Sequence, residues 1–196
     1  MKKVLVFFTV FIVTISAKAQ FFAGIETKMG ISNIVTTDSW DNGFSYFAGL
    51  NVGYEFLKHI PVSVGVEYGE LKYRPFDYQF KQTGVRIPLK IGYCHYLNNL
   101  KPFINAGVFY AVKNDIVPNI DVYDNTGGFL GPATYTNHFG YLVQIGIGYK
   151  IIDKYTVSIA GEYNRPFGDR IKYNIEQVKG PGFYHLGAVI GVSISF

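Results

Sequence analysis

The stretch Phe44-Ser45-Tyr46-Phe47-Ala48-Gly49-Leu50-Asn51-Val52-Gly53-Tyr54-Glu55-Phe56 decides the fold. Its alternate residues fall into two sets. Phe44, Tyr46, Ala48, Leu50, Val52, Tyr54 and Phe56 are apolar throughout, whereas Ser45, Phe47, Gly49, Asn51, Gly53 and Glu55 are mostly small or polar. A period of two marks an extended strand, whose side chains point by turns to opposite faces. The run is also longer than the roughly five or six residues usual in a soluble sheet.

The same alternation recurs along the chain. It predicts eight strands, at about Phe21–Gly30, Phe44–Phe56, Val62–Tyr73, Thr83–Tyr96, Pro102–Val112, Gly140–Ile151, Tyr155–Asn164 and Tyr184–Phe196. The connections alternate in length. Leu57–Pro61, Leu97–Lys101 and Ile152–Lys154 are short; Ile31–Gly43, Arg74–Gln82, Lys113–Phe139 and Arg165–Phe183 are long. Outer-membrane barrels have tight periplasmic turns at one end and long extracellular loops at the other, and an even strand number brings both termini to the periplasmic end.

Face composition separates a membrane barrel from a soluble one. A polar face meeting water should be rich in Lys, Glu and Thr. Here the last strand opposes Tyr184, Leu186, Ala188, Ile190, Val192, Ile194 and Phe196 to His185, Gly187, Val189, Gly191, Ser193 and Ser195. Small residues suit the confined interior of an eight-stranded barrel. The apolar face must then look outward, which is stable in lipid once ring closure pairs every backbone group. Tyrosines agree with this. Tyr46 and Tyr54 lie eight residues apart on one apolar face, as do Tyr141 and Tyr149 on another. At ~3.3 Å per residue and a tilt of ~40° that is roughly 20 Å, near the ~25 Å apolar band. Tyr68, Tyr110, Tyr163 and Tyr184 extend the outer girdle; Tyr93, Tyr155 and Phe196 extend the periplasmic one. The fold class is therefore all-β, an eight-stranded antiparallel up-and-down transmembrane β-barrel.

Residues 1–19 read as a signal peptide. Lys2 and Lys3 make a basic start, Val4–Ile15 an apolar core and Ala17-Lys18-Ala19 a cleavage site. Residues 20–196 then form the barrel domain, placed in the cell outer membrane. Charged residues make up 16% of the chain, against roughly a quarter in soluble domains. The formal charge of +4 includes Lys2, Lys3 and Lys18, so a nucleic-acid partner has little support. With Cys94 as the one cysteine, no internal disulfide forms.

The enclosed face carries Glu26, Lys28, Glu67, Arg86, Lys90, Asn105, Gln144 and Glu162. Isolated buried charges are very costly, so opposite charges should pair. The expectation is a structural polar cluster of Glu26, Glu67, Arg86, Lys90, Asn105, Gln144 and Glu162, with Arg86 and Lys90 meeting Glu67, Glu162 and Glu26. The histidines His59, His95, His138 and His185 show no metal-ligand spacing and are read as solvated or interfacial. A deacylase-like rim His two residues before a Ser is absent at His138 and at His185. Asp121 and Asp124 are loop formers. No catalytic, cofactor or metal site is expected. In the longest loop, Tyr123, Phe129 and Tyr135 are candidate contacts for an extracellular protein or glycan, since loops are where barrels meet partners.

Thr83-Gly84-Val85-Arg86-Ile87-Pro88-Leu89-Lys90-Ile91-Gly92-Tyr93, followed by Lys101-Pro102-Phe103-Ile104-Asn105-Ala106-Gly107, resembles the PorT-like outer-membrane β-barrel family. The resemblance implies an eight-stranded barrel of mostly unassigned function. Some members are linked to type IX secretion and many are labelled porins. Pro88 lacks an N–H, so a bulge or an unpaired ladder position is expected there. The strand ending at Phe196 resembles the terminal signal that barrel-assembly machinery recognises. These readings make the chain a non-enzymatic barrel with a structural or surface-interaction role. A narrow porin-like pore, a lipid-modifying enzyme and a secretion component are the alternatives.

Overall fold

A computed structural model describes residues 20–35, 42–73, 80–112, 116–117, 121–123, 129–132, 134–135, 137–167, 170–172, 177–179 and 182–196. The segment 1–19, read above as a signal peptide, lies outside them. Among the described residues every regular element is a strand.

Eight long strands form the wall: β1 (Gln20–Val35), β2 (Asn42–Phe56), β3 (Ile60–Tyr73), β4 (Phe80–Cys94), β5 (Leu100–Ala111), β6 (His138–Ile152), β7 (Tyr155–Pro166) and β8 (Gly182–Ser195). Each pairs antiparallel with its sequence neighbours, and β1 also pairs with β8, so the ring closes without an edge. Closure gives every wall strand a partner on both sides, as a chain crossing hydrocarbon requires.

Side chains sort by parity as the alternation demands. Phe21, Ile25, Leu50, Val66, Tyr68, Ile145, Ile159 and Ile190 are exposed on the outside of the wall. Glutamate, lysine and arginine side chains are buried inside it, among them Lys28, Glu67, Arg86, Lys90 and Glu162. This inversion of the soluble pattern gives the molecule a greasy exterior and a polar core. Leu57 and Lys58 in one tight turn and Asn98 in another adopt positive φ, closing hairpins at the short-turn end.

Several boundaries differ from the sequence expectation. The connection expected at Ile31–Gly43 starts later, because β1 continues to Val35 with Ile31 paired to Phe44 on one side and Val35 to Gly182 on the other. The wall is therefore taller beside β8 than alternation suggests. β7 likewise includes Arg165 and Pro166. The stretch 113–139 is not bare loop either. Residues 116–117 extend the sheet beside β4, 121–123 pair with 129–132, and 134–135 pair with 170–172.

At Pro88 the ladder to β3 lapses. Val64 pairs with Leu89 and Glu67 with Arg86, but the two intervening positions on each strand are unpaired and the register does not change. The missing N–H thus leaves unpaired positions and not a bulge. On the other side Pro88 stays in register with Phe109.

Candidate functional site

The enclosed polar residues stack in layers along the barrel axis. The middle layer centres on Lys28, which is 1% exposed. Its Nζ lies 2.6 Å from Glu67 Oε1 and 2.6 Å from Glu162 Oε2, with Glu26 at 4.0 Å. Arg86 approaches the other oxygen of Glu67 at 3.3 Å and donates to Asn164 Oδ1 at 3.2 Å. Asn164 in turn donates to Glu162 at 3.1 Å. One step toward the short turns, Lys90 donates to both oxygens of Glu26 at 2.7 and 2.8 Å, and Asn105 donates to Gln144 at 2.8 Å. Three cations (Lys28, Arg86, Lys90) face three carboxylates (Glu26, Glu67, Glu162), so this interior is formally neutral. That balance meets the requirement for burying ions at all.

Toward the long-loop end the filling becomes aromatic. The Arg86 guanidinium lies over the Phe47 ring at 3.4 Å from its centroid, with the Phe109 ring at 5.3 Å. Glycine makes room for both rings. A Cβ at Gly69 would collide with Phe47, and one at Gly140 with Phe109. His185 packs edge-on against Phe47, and its Nδ1 lies 2.5 Å from Ser45 Oγ. Two buried nitrogens here, Arg86 Nε and His185 Nε2, have no hydrogen-bond partner among the described residues.

The short-turn end holds a different arrangement. A cavity of about 100 Å³ lies below the charged layers, lined by Glu26, Lys90, Asn105, Ser158 and Ser193 among others. Beneath it Lys101 pairs with Glu55, which also accepts from the Tyr96 hydroxyl at 2.8 Å. Burial pushes the Tyr96 phenol up to about 12, with Lys101 opposing the shift. Cys94 is a buried free thiol beside this mouth.

Set against the sequence expectations, Glu26, Glu67, Arg86, Lys90, Asn105, Gln144 and Glu162 all lie inside the wall, but the pairing differs. Glu162 meets Lys28, not Arg86 or Lys90, because residues across a tilted, staggered barrel come level in ways that counting along single strands does not show. Asn164, Ser45, Phe47 and Phe109 were not singled out, although parity alone puts each on the enclosed face. The reading of His185 as solvated or interfacial is corrected: at 1% exposure it is buried in the lumen, enclosed by the added height of β1. His59 and His95 stack on each other in the short turns. Tyr123 lies in register with Phe129, and Tyr135 with Ile171; their side chains fall outside the described residues. Among the described residues no group of three or more His, Cys, Asp or Glu could hold a metal ion.

No curated protein matches the chain. Among solved structures, Neisserial surface protein A is 19% identical, covering 91% of this chain and 99% of its own with a TM-score of 0.59. The outer membrane protein OprG from Pseudomonas aeruginosa is 11% identical, with 91% and 96% covered and a TM-score of 0.55. The outer membrane enzyme PagL is 12% identical, with 86% and 97% covered and a TM-score of 0.50. At these identities the likeness is one of fold. Residues 14–172 match the family described as "Outer membrane protein beta-barrel domain", which is most of the chain, and the closed barrel with its greasy exterior agrees: the chain belongs to that outer-membrane β-barrel family.

Proposed function

We propose that this is a non-enzymatic outer-membrane barrel with a structural or surface-interaction role, its lumen stoppered by the layered ion pairs. The observation that carries this reading is Lys28, bound at 2.6 Å to carboxylates from two other strands and almost wholly buried. Ions crossing the barrel would have to break those contacts, and an eight-stranded barrel is just wide enough for its own side chains. The purified protein in planar bilayers is expected to pass no current in concentrated potassium chloride. Sustained unitary steps would overturn the reading.

The pore alternative draws on the cavity in the short-turn half, which is a vestibule for ions if the Lys28 layer opens. The enzyme alternative would need an accessible nucleophile. The hydrogen-bonded serine and histidine in the lumen, Ser45 and His185, are 0% and 1% exposed, so no substrate carbonyl reaches them. Lipid A from cells with and without the protein should have the same mass.

A narrower placement with PorT-like barrels is supported by the stretch Thr83–Tyr93 with Lys101–Gly107 alone, and a secretion role does not follow from it. Recognition by barrel-assembly machinery is supported by the exposed row Leu186, Ile190, Val192 and Phe196 on the outer face of β8 and just beyond it. For an extracellular protein or glycan partner the support is the 121–132 hairpin, which sets Tyr123 against Phe129. A pull-down after surface crosslinking, compared with a Tyr123→Ser/Phe129→Ser variant, tests it.

A further inference from the structure

The outside of the wall is largely apolar, and among the described residues its polar interruptions toward the long loops include the upper end of β7. Arg165 is exposed there and sits directly opposite Tyr141 on β6. Tyr163, two residues earlier on the same face of β7, feels its charge. Tyr163 packs against Tyr141 at 6.1 Å and Tyr184 at 6.1 Å between ring centroids, and Tyr141 lies 5.7 Å from Phe167. A cation thus stands beside a cluster of three tyrosines at the level of the outer girdle. Among the described residues the ion pairs are made by other cations, and no carboxylate is paired with Arg165.

Below this patch the surface is furrowed. Gly161 pairs with Ala188 on β8 and Ile145 on β6, and a Cβ built at Gly161 would meet nothing within 4 Å. Exposed Ile145, Ile159, Leu186 and Ile190 border the furrow. Charge is also uneven around the long-loop end. Positions 165–182 hold Arg165, Arg170, Lys172 and Lys179 against Asp169 and Glu176, whereas 113–137 holds Lys113 against Asp115, Asp121 and Asp124.

We infer that the β6–β7–β8 face is a binding site for a phosphate-bearing lipid of the outer leaflet. Arg165 takes the phosphate, the Tyr141, Tyr163 and Tyr184 hydroxyls lie beside it as donors, and an acyl chain lies in the Gly161–Ala188 furrow. Arginine suits the headgroup because its planar donors match phosphate oxygens two at a time. A lipid fits better than a soluble anion because the cation faces sideways into the bilayer boundary, directly above the furrow.

The test uses the full barrel in detergent, titrated with diphosphorylated lipid A or with the same lipid lacking both phosphates, bound copies being counted by native mass spectrometry. The parent is expected to hold one phosphorylated lipid about tenfold more tightly than the dephosphorylated form, and Arg165→Gln to lose that preference. Gly161→Leu, which fills the furrow, is expected to weaken both forms alike. Lys154→Gln, in a short turn at the far end, should change neither, and inorganic phosphate should not displace the lipid. Circular dichroism confirms that each variant is folded. The inference is overturned if Arg165→Gln keeps the parent's preference, if Lys154→Gln loses as much as Arg165→Gln, if Gly161→Leu binds both lipids as the parent does, or if inorganic phosphate competes the lipid away.

Discussion

Replacing Lys28 by methionine tests the lumen most directly. The side chains are similar in length, so the change removes a charge and little volume. At an effective dielectric of about 20, each 2.6 Å contact to Glu67 and Glu162 carries roughly 6 kcal/mol of Coulomb energy before desolvation is counted. The two carboxylates do not suffer equally. Glu67 keeps Arg86 at 3.3 Å, but Glu162 is left with the Asn164 amide at 3.1 Å and no cation. Losing one partner of a buried ion pair costs about 3–5 kcal/mol, and that loss is expected for Lys28→Met. Urea unfolding from lipid vesicles, followed by the β signal in circular dichroism and extrapolated linearly, measures it. Adding Glu162→Gln should recover part of the loss, since no bare carboxylate then faces the gap. A Lys28→Met barrel within about 1 kcal/mol of the parent would refute the reasoning, because that is what an exposed, water-screened pair is worth.

Three further outcomes are expected. Leu50→Arg puts a charge on a residue 64% exposed on the membrane face; unfolding should show a loss of about 2–4 kcal/mol at mid-bilayer depth, whereas a soluble barrel would tolerate it. Gly69→Ala drives a methyl group into Phe47 and lifts that ring from Arg86, and the same assay should register about 1–3 kcal/mol. For Tyr96 the folded state holds its proton to about 12 against an ordinary 10, so its contribution is fully present below pH 10 and fades as pH rises toward 12. The parent should therefore lose stability relative to Tyr96→Phe across that window in vesicle unfolding, and a constant difference would contradict the assignment.

Most of the wall was legible because each strand must answer two solvents at once. Lipid demands Leu50, Ile145 and Ile190 on one parity; the lumen demands Gly49, Gln144 and Gly191 on the other. What escaped the sequence is what depends on how strands slide past one another. Lys28 was visibly inward, but its partners sit two strands away on either side, on β3 and β7, and parity carries no information about their relative height. His185 was misjudged for a related reason. Its register partner is Ser32 on β1, in the expected connection Ile31–Gly43, which instead stays paired on both sides there. Arg165 falls in the expected connection Arg165–Phe183, yet the ladder runs through it and Pro166 to Tyr141 and Gly140.

Lys28 draws its two closest anions from opposite flanks of the junction where the first and last strands meet. A half-zipped sheet entering the bilayer would hold that ammonium with at most one of them, and would leave the other carboxylate stranded. Completing the circle and neutralising the interior are therefore one event. The assembly step that joins the chain's two ends is also the step that makes its contents tolerable to the membrane.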